Sequence, residues 1–234
     1  MTTPVVDIVV PCFDQPEFTA KCLDSIRATT KPGDFRVILI DNGSSPESSA
    51  VYLEKLDGMQ HWYCKLESNT GFVKATNCGL AVSTAPYVLL LNNDTELPPN
   101  WLEKMLEVME AEPRVGIVGP LSSSAHQWQG QVGKGGVGWH VLGLHQMLSF
   151  FCALIRRQVI VQCGYLSEEF RAGLGDDDDY AQIIHRSGWR LALRMDVEVL
   201  HHHRTSFRAV YGEGGWHEMQ KENLEFFKKK WNIP

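Results

Sequence analysis

The run Tyr87–Leu91 constrains the fold more than any other part of the sequence. It is apolar from end to end, and an uninterrupted apolar run of this length is typical of a parallel strand buried on both faces. Asn92, Asn93 and Asp94 follow it directly. A carboxylate there lies beyond the carboxyl end of a strand, where open α/β sheets bind their ligands. Because Asn and Asp are also favoured in turns, a cation and phosphate site and a simple turn both stay open at this point.

Strand-like and helix-like segments alternate through the first half of the chain. This alternation predicts a parallel sheet with helices on both faces, and therefore an α/β fold. We expect the first strand to stop at Pro11 and the fifth to end at Pro120. The predicted strands are 6–10, 35–40, 62–66, 87–91 and 115–119, and the predicted helices are 17–29, 48–56, 71–82 and 99–111.

The second half of the chain is less regular. Residues 122–145 are rich in glycine and carry Trp128 and Trp139. A loop of this length in a compact domain is usually functional or disordered. It is therefore expected to form either a flexible flap over a substrate or a poorly ordered surface segment. Beyond it, the predicted strands are 150–155 and 197–200, and the predicted helices are 158–163, 178–187 and 218–230.

Composition narrows the class of protein. The net charge of -6 argues against a protein that binds nucleic acid through a broad basic surface. No apolar stretch approaches the roughly 20 residues of a membrane span, and the N-terminus has no signal-peptide pattern, so we expect no integral membrane segment. The six cysteines have no paired spacing of the Cys-x-x-Cys kind, which indicates a reducing compartment and a cytoplasmic protein. The oligomeric state is left open.

Several short motifs follow one another in a recognisable order. They are 6–14 (VDIVVPCFD), 41–45 (DNGSS), 69–79 (NTGFVKATNCG), 91–94 (LNND), 164–170 (GYLSEEF), 175–177 (GDD) and 199–201 (VLH). With this order and spacing, the chain resembles the family 2 glycosyltransferases of the GT-A fold, a group that includes rhamnosyltransferase-like enzymes. The resemblance implies one domain, 1–234, in which a Rossmann-like mixed sheet has helices on both faces. Residues 1–120 would bind the nucleotide sugar and residues 121–234 the acceptor.

The resemblance also implies a donor site built from the loops that follow the first strands. Asp41 would accept hydrogen bonds from the base or ribose. Gly71 would let the backbone approach the diphosphate at a helix start, where anions are favoured. A turn at Asp41 and a solvated surface position at Lys74 are the alternatives. The residues assigned to the nucleotide sugar are Pro11, Cys12, Phe13, Asp41, Asn69, Gly71, Lys74, Asn77, Asn92, Asn93, Asp94 and Asp176.

A divalent metal, Mn²⁺ or Mg²⁺, is implied by the same resemblance. The family's Asp-x-Asp element reads Asn92-Asn93-Asp94 here, so only Asp94 keeps a carboxylate to hold the ion against the phosphates of the donor. Relatives use a late histidine as a second protein ligand. His201 is the candidate, with His203 on the same face of the strand because side chains alternate along a strand.

Four consecutive aspartates, 176–179, form the last motif. Alignment with the family pattern makes Asp177 the candidate general base, which removes the proton of the acceptor hydroxyl, and puts Asp176 beside it. Adjacent carboxylates repel one another, so we expect a raised pKa for at least one of them. The alternative role is helix capping, since acidic residues are favoured in a first turn.

The implied function is metal-dependent transfer of a sugar from a UDP- or dTDP-sugar to an acceptor hydroxyl, with inversion at the anomeric carbon. Two other classes stay open. A catalytically inactive nucleotide-sugar-binding module is suggested by the altered motif at 92–94, and a nucleotidyltransferase is disfavoured because residues 11–14 (PCFD) carry no glycine-rich basic loop. The acceptor is open between a glycan, a lipid-linked glycan, a protein and a nucleobase.

Overall fold

A computed structural model describes residues 3–123, 136–143, 146–170, 175–202 and 205–233, without the side chains of residues 205–214 and 216. Its strands are β1 Val6–Cys12, β2 Phe35–Asp41, β3 His61–Lys65, β4 Tyr87–Leu91, β5 Thr95–Glu96, β6 Val115–Ser122, β7 Trp139–Val141, β8 Cys152–Arg156 and β9 Arg190–His201. Its helices are α1 Pro16–Thr29, α2 Pro46–Leu56, α3 Phe72–Val82, α4 Trp101–Ala111, α5 Arg157–Cys163, α6 Asp176–Arg186 and α7 Thr205–Trp231. The predicted α/β class is confirmed.

The strands form one mixed sheet in the order β3-β2-β1-β4-β8-β6-β9-β5, and β7 pairs with β9. Strands β1 to β4 are parallel to one another where they pair. Strand β8 is antiparallel to both of its neighbours, β4 and β6. The mixed sheet implied by the family resemblance is therefore correct, and an entirely parallel sheet is wrong.

Two apolar cores lie on the two faces of the sheet. Because side chains alternate along a strand, Ile8 and Val10 of β1 point into one core, and Val9 points into the other. The first core contains the apolar sides of α1, α2 and α4, and the second contains those of α3, α5 and α6. Covering both faces in this way explains why Tyr87–Leu91 is apolar throughout.

Two strands continue through prolines that were expected to end them. Strand β1 runs through Pro11 to Cys12, where it pairs with β2 only, because its pairing with β4 ends at Val9. Strand β6 runs through Pro120 to Ser122, and Pro120 pairs with β9. A proline lacks the N–H of a ladder hydrogen bond, but this loss is tolerated where a strand has a neighbour on one side.

Other boundaries also differ from the expectations. Strand β9 begins at Arg190 rather than at residue 197, helix α6 begins at Asp176 rather than at 178, and α7 begins at Thr205 rather than at 218. Part of the predicted 122–145 loop is strand β7. Residues 124–135 and 144–145 lie outside the described residues, so the flap stays a prediction. Among the helices that the structure describes, none combines the length and hydropathy that a membrane span requires.

Candidate active site

The sheet has a topological switch point between β1 and β4. From β1 the chain proceeds to β2 and β3 on one side of the sheet, and then returns to place β4 on the other side of β1. Ligands of open α/β sheets bind outside the carboxyl ends of the strands at such a point. Here that crevice lies beyond Cys12 of β1 and Leu91 of β4.

The loop after β1 is held in an uncommon backbone conformation. Asp14 and Gln15 have positive φ angles of 46° and 55°, which are rare for residues other than glycine. The carboxylate of Asp14 accepts hydrogen bonds from the backbone N–H of Ser45 and the hydroxyl of Ser48, each at 3.0 Å. The hydrogen bond from Ser45 is the main cause of the lowered pKa of Asp14. This contact fixes the β1 loop against the start of α2.

The first three predicted donor-binding residues differ in exposure. Pro11 and Cys12 are buried, and Phe13 is half-buried. Burial raises the pKa of the Cys12 thiol well above its usual range, so this cysteine is a neutral thiol within the core. Of the three, Phe13 is therefore the side chain best placed to contact a nucleotide.

Asp41, at the end of β2, is completely buried and accepts three hydrogen bonds. Its Oδ2 accepts from the hydroxyls of Ser49 at 2.5 Å and Tyr63 at 2.8 Å, and its Oδ1 accepts from the backbone N–H of Ser44 at 2.8 Å. Burial acts to raise the pKa of Asp41, but these hydrogen bonds outweigh it and lower the pKa. The carboxylate is therefore ionised and rigidly held. Its contact with the base or ribose stays a prediction.

Asn42 connects the end of β2 to the loop before α3, a role that sequence reasoning missed. Its Nδ2 donates to Oδ1 of Asn69 at 2.9 Å, and its Oδ1 accepts from the backbone N–H of Thr70 at 2.9 Å. Asn69 Oδ1 also accepts from the backbone N–H of Gly71 at 2.9 Å. Both asparagines therefore shape this turn. The signal that could have found Asn42 was its position directly after Asp41, at the carboxyl end of a strand.

Helix α3 begins at the crevice with an open backbone. Gly71 precedes it with φ 89° and ψ 162°, a region that is almost restricted to glycine, and a Cβ at this residue would have no atom within 4 Å. Lys74 is exposed in the first turn. Free space beside a helix N-terminus, with a lysine nearby, suits a diphosphate.

Asn77, further along α3, holds a different part of the chain. Its Nδ2 donates to the carbonyl of Leu166 at 2.9 Å, and its Oδ1 accepts from the N–H of the same residue at 3.1 Å. The amide therefore fastens the segment 164–170 to α3. Direct contact of Asn77 with the donor stays a prediction.

Asp94 and His201 meet just beyond the end of β4. Pairing of β5 with β9 aligns Thr95 with His201, and this brings Oδ1 of Asp94 to 3.3 Å from Nε2 of His201. Both side chains are buried. The ring of Phe151 stacks on the imidazole at a centroid distance of 4.8 Å. Two residues that are far apart in the sequence thus form one polar site.

The neighbours of this pair point elsewhere. Asn93 donates to the hydroxyl of Thr19 on α1 at 2.9 Å, and the Nε2 of His202 lies 2.9 Å from a carboxylate oxygen of Glu96. Side-chain alternation therefore separates His202 from the pair, as expected. His203 lies outside the described residues, so its role as a metal ligand stays a prediction.

The Asp94 and His201 pair fits two ligands of one divalent ion. Ligand distances of about 2.0–2.2 Å place two ligands of the same ion roughly 3 Å apart, close to the observed 3.3 Å. Carboxylate oxygen with imidazole nitrogen suits Mn²⁺. Among the described residues there is no group of three or more His, Cys, Asp and Glu side chains that could hold an ion. Besides the predicted contribution of His203, phosphate oxygens and water would supply the other ligands.

The first turn of α6 consists of the four aspartates. Asp176 is 2% exposed, and Asp177 is half-buried. Burial, together with the charges of Asp178 and Asp179, raises the pKa of Asp176 to about 7. Burial and the charges of Asp176 and Asp178 also raise the pKa of Asp177 well above its usual range. The direction agrees with the raised pKa expected for this motif, but burial rather than repulsion between the carboxylates is its largest cause.

The aspartates and the Asp94 site lie at the same end of the sheet. Leu91 pairs with Cys152, so the residues just before β8 adjoin the end of β4. Phe151 stacks on His201, and the adjacent Phe150 makes an edge contact with Tyr180 in the first part of α6, with ring centroids 6.0 Å apart. Two neighbouring phenylalanines thus connect the two polar sites across the sheet.

Residues 7–162 match the family model described as Glycosyl transferase family 2. The O-antigen biosynthesis protein RfbC of Myxococcus xanthus is 25% identical over 230 residues, which are 88% of this chain and 18% of that protein. An N-acetylglucosaminyltransferase of Bradyrhizobium elkanii is 30% identical over 116 residues, which are 48% of this chain and 63% of that protein. The chain thus spans less than two thirds of the length of these relatives.

Solved structures show the same fold. The mannosyltransferase PcManGT from Pyrobaculum calidifontis, in complex with GDP-Man and Mn²⁺, aligns with a TM-score of 0.73 and 17% identity over 96% of this chain and 63% of that one. S. aureus TarS 1-349, in complex with UDP-GlcNAc, aligns with a TM-score of 0.69 and 14% identity over 86% of this chain and 58% of that one. At these identities the likeness concerns the fold.

Proposed function

The chain belongs to glycosyl transferase family 2, and from this premise we propose that it transfers a sugar from a nucleoside-diphosphate donor to an acceptor hydroxyl with inversion at the anomeric carbon. The observation that carries the proposal is the arrangement at the switch point. The Asp94 and His201 pair and the aspartates of α6 lie at the same end of the sheet. One group suits a donor diphosphate, and the other suits an acceptor hydroxyl.

The proposed donor is a UDP-sugar, with UDP-N-acetylglucosamine as the first to test and dTDP-sugars as the second. The relative from Bradyrhizobium elkanii carries the name N-acetylglucosaminyltransferase, and one solved structure of the same fold holds UDP-GlcNAc. The base and ribose would lie between Phe13 and the loop after β2, and the diphosphate at the open backbone beside Gly71. In this proposal residues 1–120 bind the donor, and the later part of the chain binds the acceptor.

In the proposed reaction the acceptor oxygen attacks the anomeric carbon from the side opposite to the phosphate. A new C–O bond forms there as the bond between that carbon and the phosphate oxygen breaks. The electron pair of the broken bond goes to the departing nucleoside diphosphate, and the proton of the acceptor hydroxyl goes to a carboxylate oxygen of Asp177. The raised pKa of Asp177 makes its ionised form a stronger base than an ordinary aspartate.

Asp94 and His201 would hold the divalent ion, Mn²⁺ or Mg²⁺. When bound, such an ion offsets negative charge on the phosphates of the leaving group. Where the family's Asp-x-Asp element has two carboxylates, this chain keeps only that of Asp94. The donor's own phosphate oxygens would therefore complete the metal site. The protein alone is therefore expected to bind the metal weakly, and the protein with nucleoside diphosphate more tightly.

A second candidate is a nucleotide-sugar-binding module without activity, which the asparagines at 92 and 93 favour. Both candidates bind donor, so binding alone does not separate them. The test has two steps. Thermal shift with UDP-, dTDP- and GDP-sugars, with and without Mn²⁺, identifies the donor, and release of nucleoside diphosphate then reports turnover.

An acceptor panel of glycans, lipid-linked glycans, glycosylatable peptides and nucleosides extends the assay to transfer. For any product, NMR of the anomeric proton shows whether configuration is inverted. Binding without release of diphosphate under any acceptor condition would favour the inactive module. Retention of configuration would contradict the single displacement.

A further inference from the structure

The end of helix α7 packs on the acidic first turn of α6. Nζ of Lys230 lies 3.0 and 3.1 Å from the two carboxylate oxygens of Asp179, and the indole Nε1 of Trp231 donates to Oδ1 of Asp179 at 2.8 Å. The side chain of Asp179 is completely buried and that of Lys230 is 25% exposed. Within the part of the chain that the structure describes, Asp179 therefore differs from the other three aspartates, because its charge is compensated by a cation from a distant part of the chain.

The contact extends to the segment 164–170. Lys230 also donates to a carboxylate oxygen of Glu169 at 3.2 Å, and the ring of Phe170 meets the ring of Phe226 on α7 edge to face, at 5.2 Å. Arg186, at the end of α6, stacks on the indole of Trp231 at 4.4 Å. Both ends of α6 are thus in contact with the same stretch of α7.

We propose that Lys230 and Trp231 are positioning residues for Asp177: by holding Asp179, they fix the turn of α6 that presents the base to the acceptor. This inference rests on the proposed function only for the identity of the base. Leaving a buried carboxylate without its ion partner costs free energy. The contact with Lys230 therefore keeps the charge of Asp179 compensated within the acidic turn.

The charge relations support this role. Burial acts to lower the pKa of Lys230, but its hydrogen bonds and charge pairing with Asp179 and Glu169 raise the pKa overall, so the ammonium is ionised. Asp179 in turn acts on Asp176, whose pKa it helps to raise. The charged groups around Asp179 are Asp176 and Asp178 on α6, Glu169 on the segment 164–170, Lys230 on α7, and Arg186 through the ring of Trp231.

The test replaces Lys230 with glutamine, which retains one hydrogen bond to Asp179 and loses the charge. Without the cation, the charge of Asp179 opposes ionisation of its neighbours more strongly. Asp179 acts on Asp176, and Asp176 acts on Asp177. The titration midpoint of Asp176, followed by carbon-13 NMR of its carboxyl group, should therefore rise by about half a pH unit or more, and that of Asp177 should rise with it. The acid limb of kcat/KM should move to higher pH by a similar amount.

Three further variants make the result specific. Lys230→Arg keeps the charge and should leave both the carboxyl titrations and the pH dependence of kcat/KM unchanged. Asp179→Asn combined with Lys230→Gln removes the uncompensated charge and should return both profiles to the wild-type position or below. Lys229→Met, at an exposed position of the same helix, should change neither.

A purely structural contact would behave differently. It would lower the melting temperature of Lys230→Gln and leave the titration of Asp177 and the acid limb unchanged, and that outcome would overturn the inference. The NMR titration does not need turnover. If the wild-type protein transfers no sugar, the proposed function fails, and the titration alone decides whether Lys230 controls the acidic turn.

Discussion

Oδ1 of Asp94 lies 3.3 Å from Nε2 of His201, although the two residues are far apart in the sequence. The pairing of β5 with β9 brings them together, and the stacked ring of Phe151 holds the imidazole in place. A carboxylate and an imidazole at this separation are suited to share one divalent ion with a diphosphate.

Asp94→Asn and His201→Ala are each expected to weaken binding of Mn²⁺ in the presence of UDP by about tenfold or more, because each removes a proposed protein ligand of the ion. Isothermal titration of Mn²⁺ into the protein with UDP measures this. His202→Ala is the matched control, since His202 is the next residue and lies beside Glu96 instead. Equal loss of affinity in the control and in His201→Ala would contradict the assignment.

Asp177→Asn is expected to lower kcat of sugar transfer by about 100-fold or more, because general base catalysis is worth this much. The dissociation constant of the donor should change little, since the proposed base acts on the acceptor. The comparison variant is Asp178→Asn, which removes a neighbouring half-buried carboxylate and should lower kcat by less than about threefold. Full turnover in Asp177→Asn would show that another group accepts the proton.

The sequence was most informative where a strand is buried on both faces. Tyr87–Leu91 was predicted with its observed bounds, because an unbroken apolar run leaves little other choice. The first half of β9 was missed since Arg190, Arg194 and Asp196 interrupt the apolar pattern. The structure accommodates Arg194 through ion pairs with Glu107 and Asp196, and such tertiary compensation cannot be recognised from local composition.

For the candidate site, the order of motifs identified Asp94, His201 and Asp177 as candidates. The structure places the Asp94 and His201 pair and the helix that carries Asp177 at one end of the sheet. What the motifs could not provide was the hydrogen bonding between them. The amide of Asn77 is engaged with Leu166, and Asp179 is engaged with the end of α7. These partners are distant in sequence, and only packing of the chain determines them.

Gly43→Ala is expected to lower the free energy of unfolding by about 3 kcal/mol or more, because φ at Gly43 is +85° and a Cβ would lie 2.5 Å from the backbone of Ser68. Gly71 also has a positive φ, of +89°, but a Cβ there meets no atom within 4 Å. Gly71→Ala should therefore cost only about 1–3 kcal/mol. Urea unfolding of both variants measures the difference, and equal costs would contradict the close approach at Gly43.

Asp176→Asn is expected to stabilise the protein at neutral pH more than at acidic pH. The pKa of Asp176 is raised from 3.8 to about 7 in the folded state, so the folded protein holds this proton more tightly than the unfolded chain does. The stability that this group contributes is fully present below pH 3.8 and is lost as the pH rises to about 7. Asparagine does not ionise and avoids the loss.

The gain in unfolding free energy of Asp176→Asn over the wild type should therefore grow by roughly 2–4 kcal/mol between about pH 4 and pH 7.5. Urea denaturation of both proteins at several pH values measures it. Asp178 and Asp179 help to raise this pKa, so the pKa of Asp176 should be raised less in Asp178→Asn. The unfolding free energy of Asp178→Asn should therefore fall less with rising pH than that of the wild type, but in the same direction. A gain that is the same at every pH would mean that Asp176 ionises as readily in the folded protein as in the unfolded chain, and that the first turn of α6 is open to water.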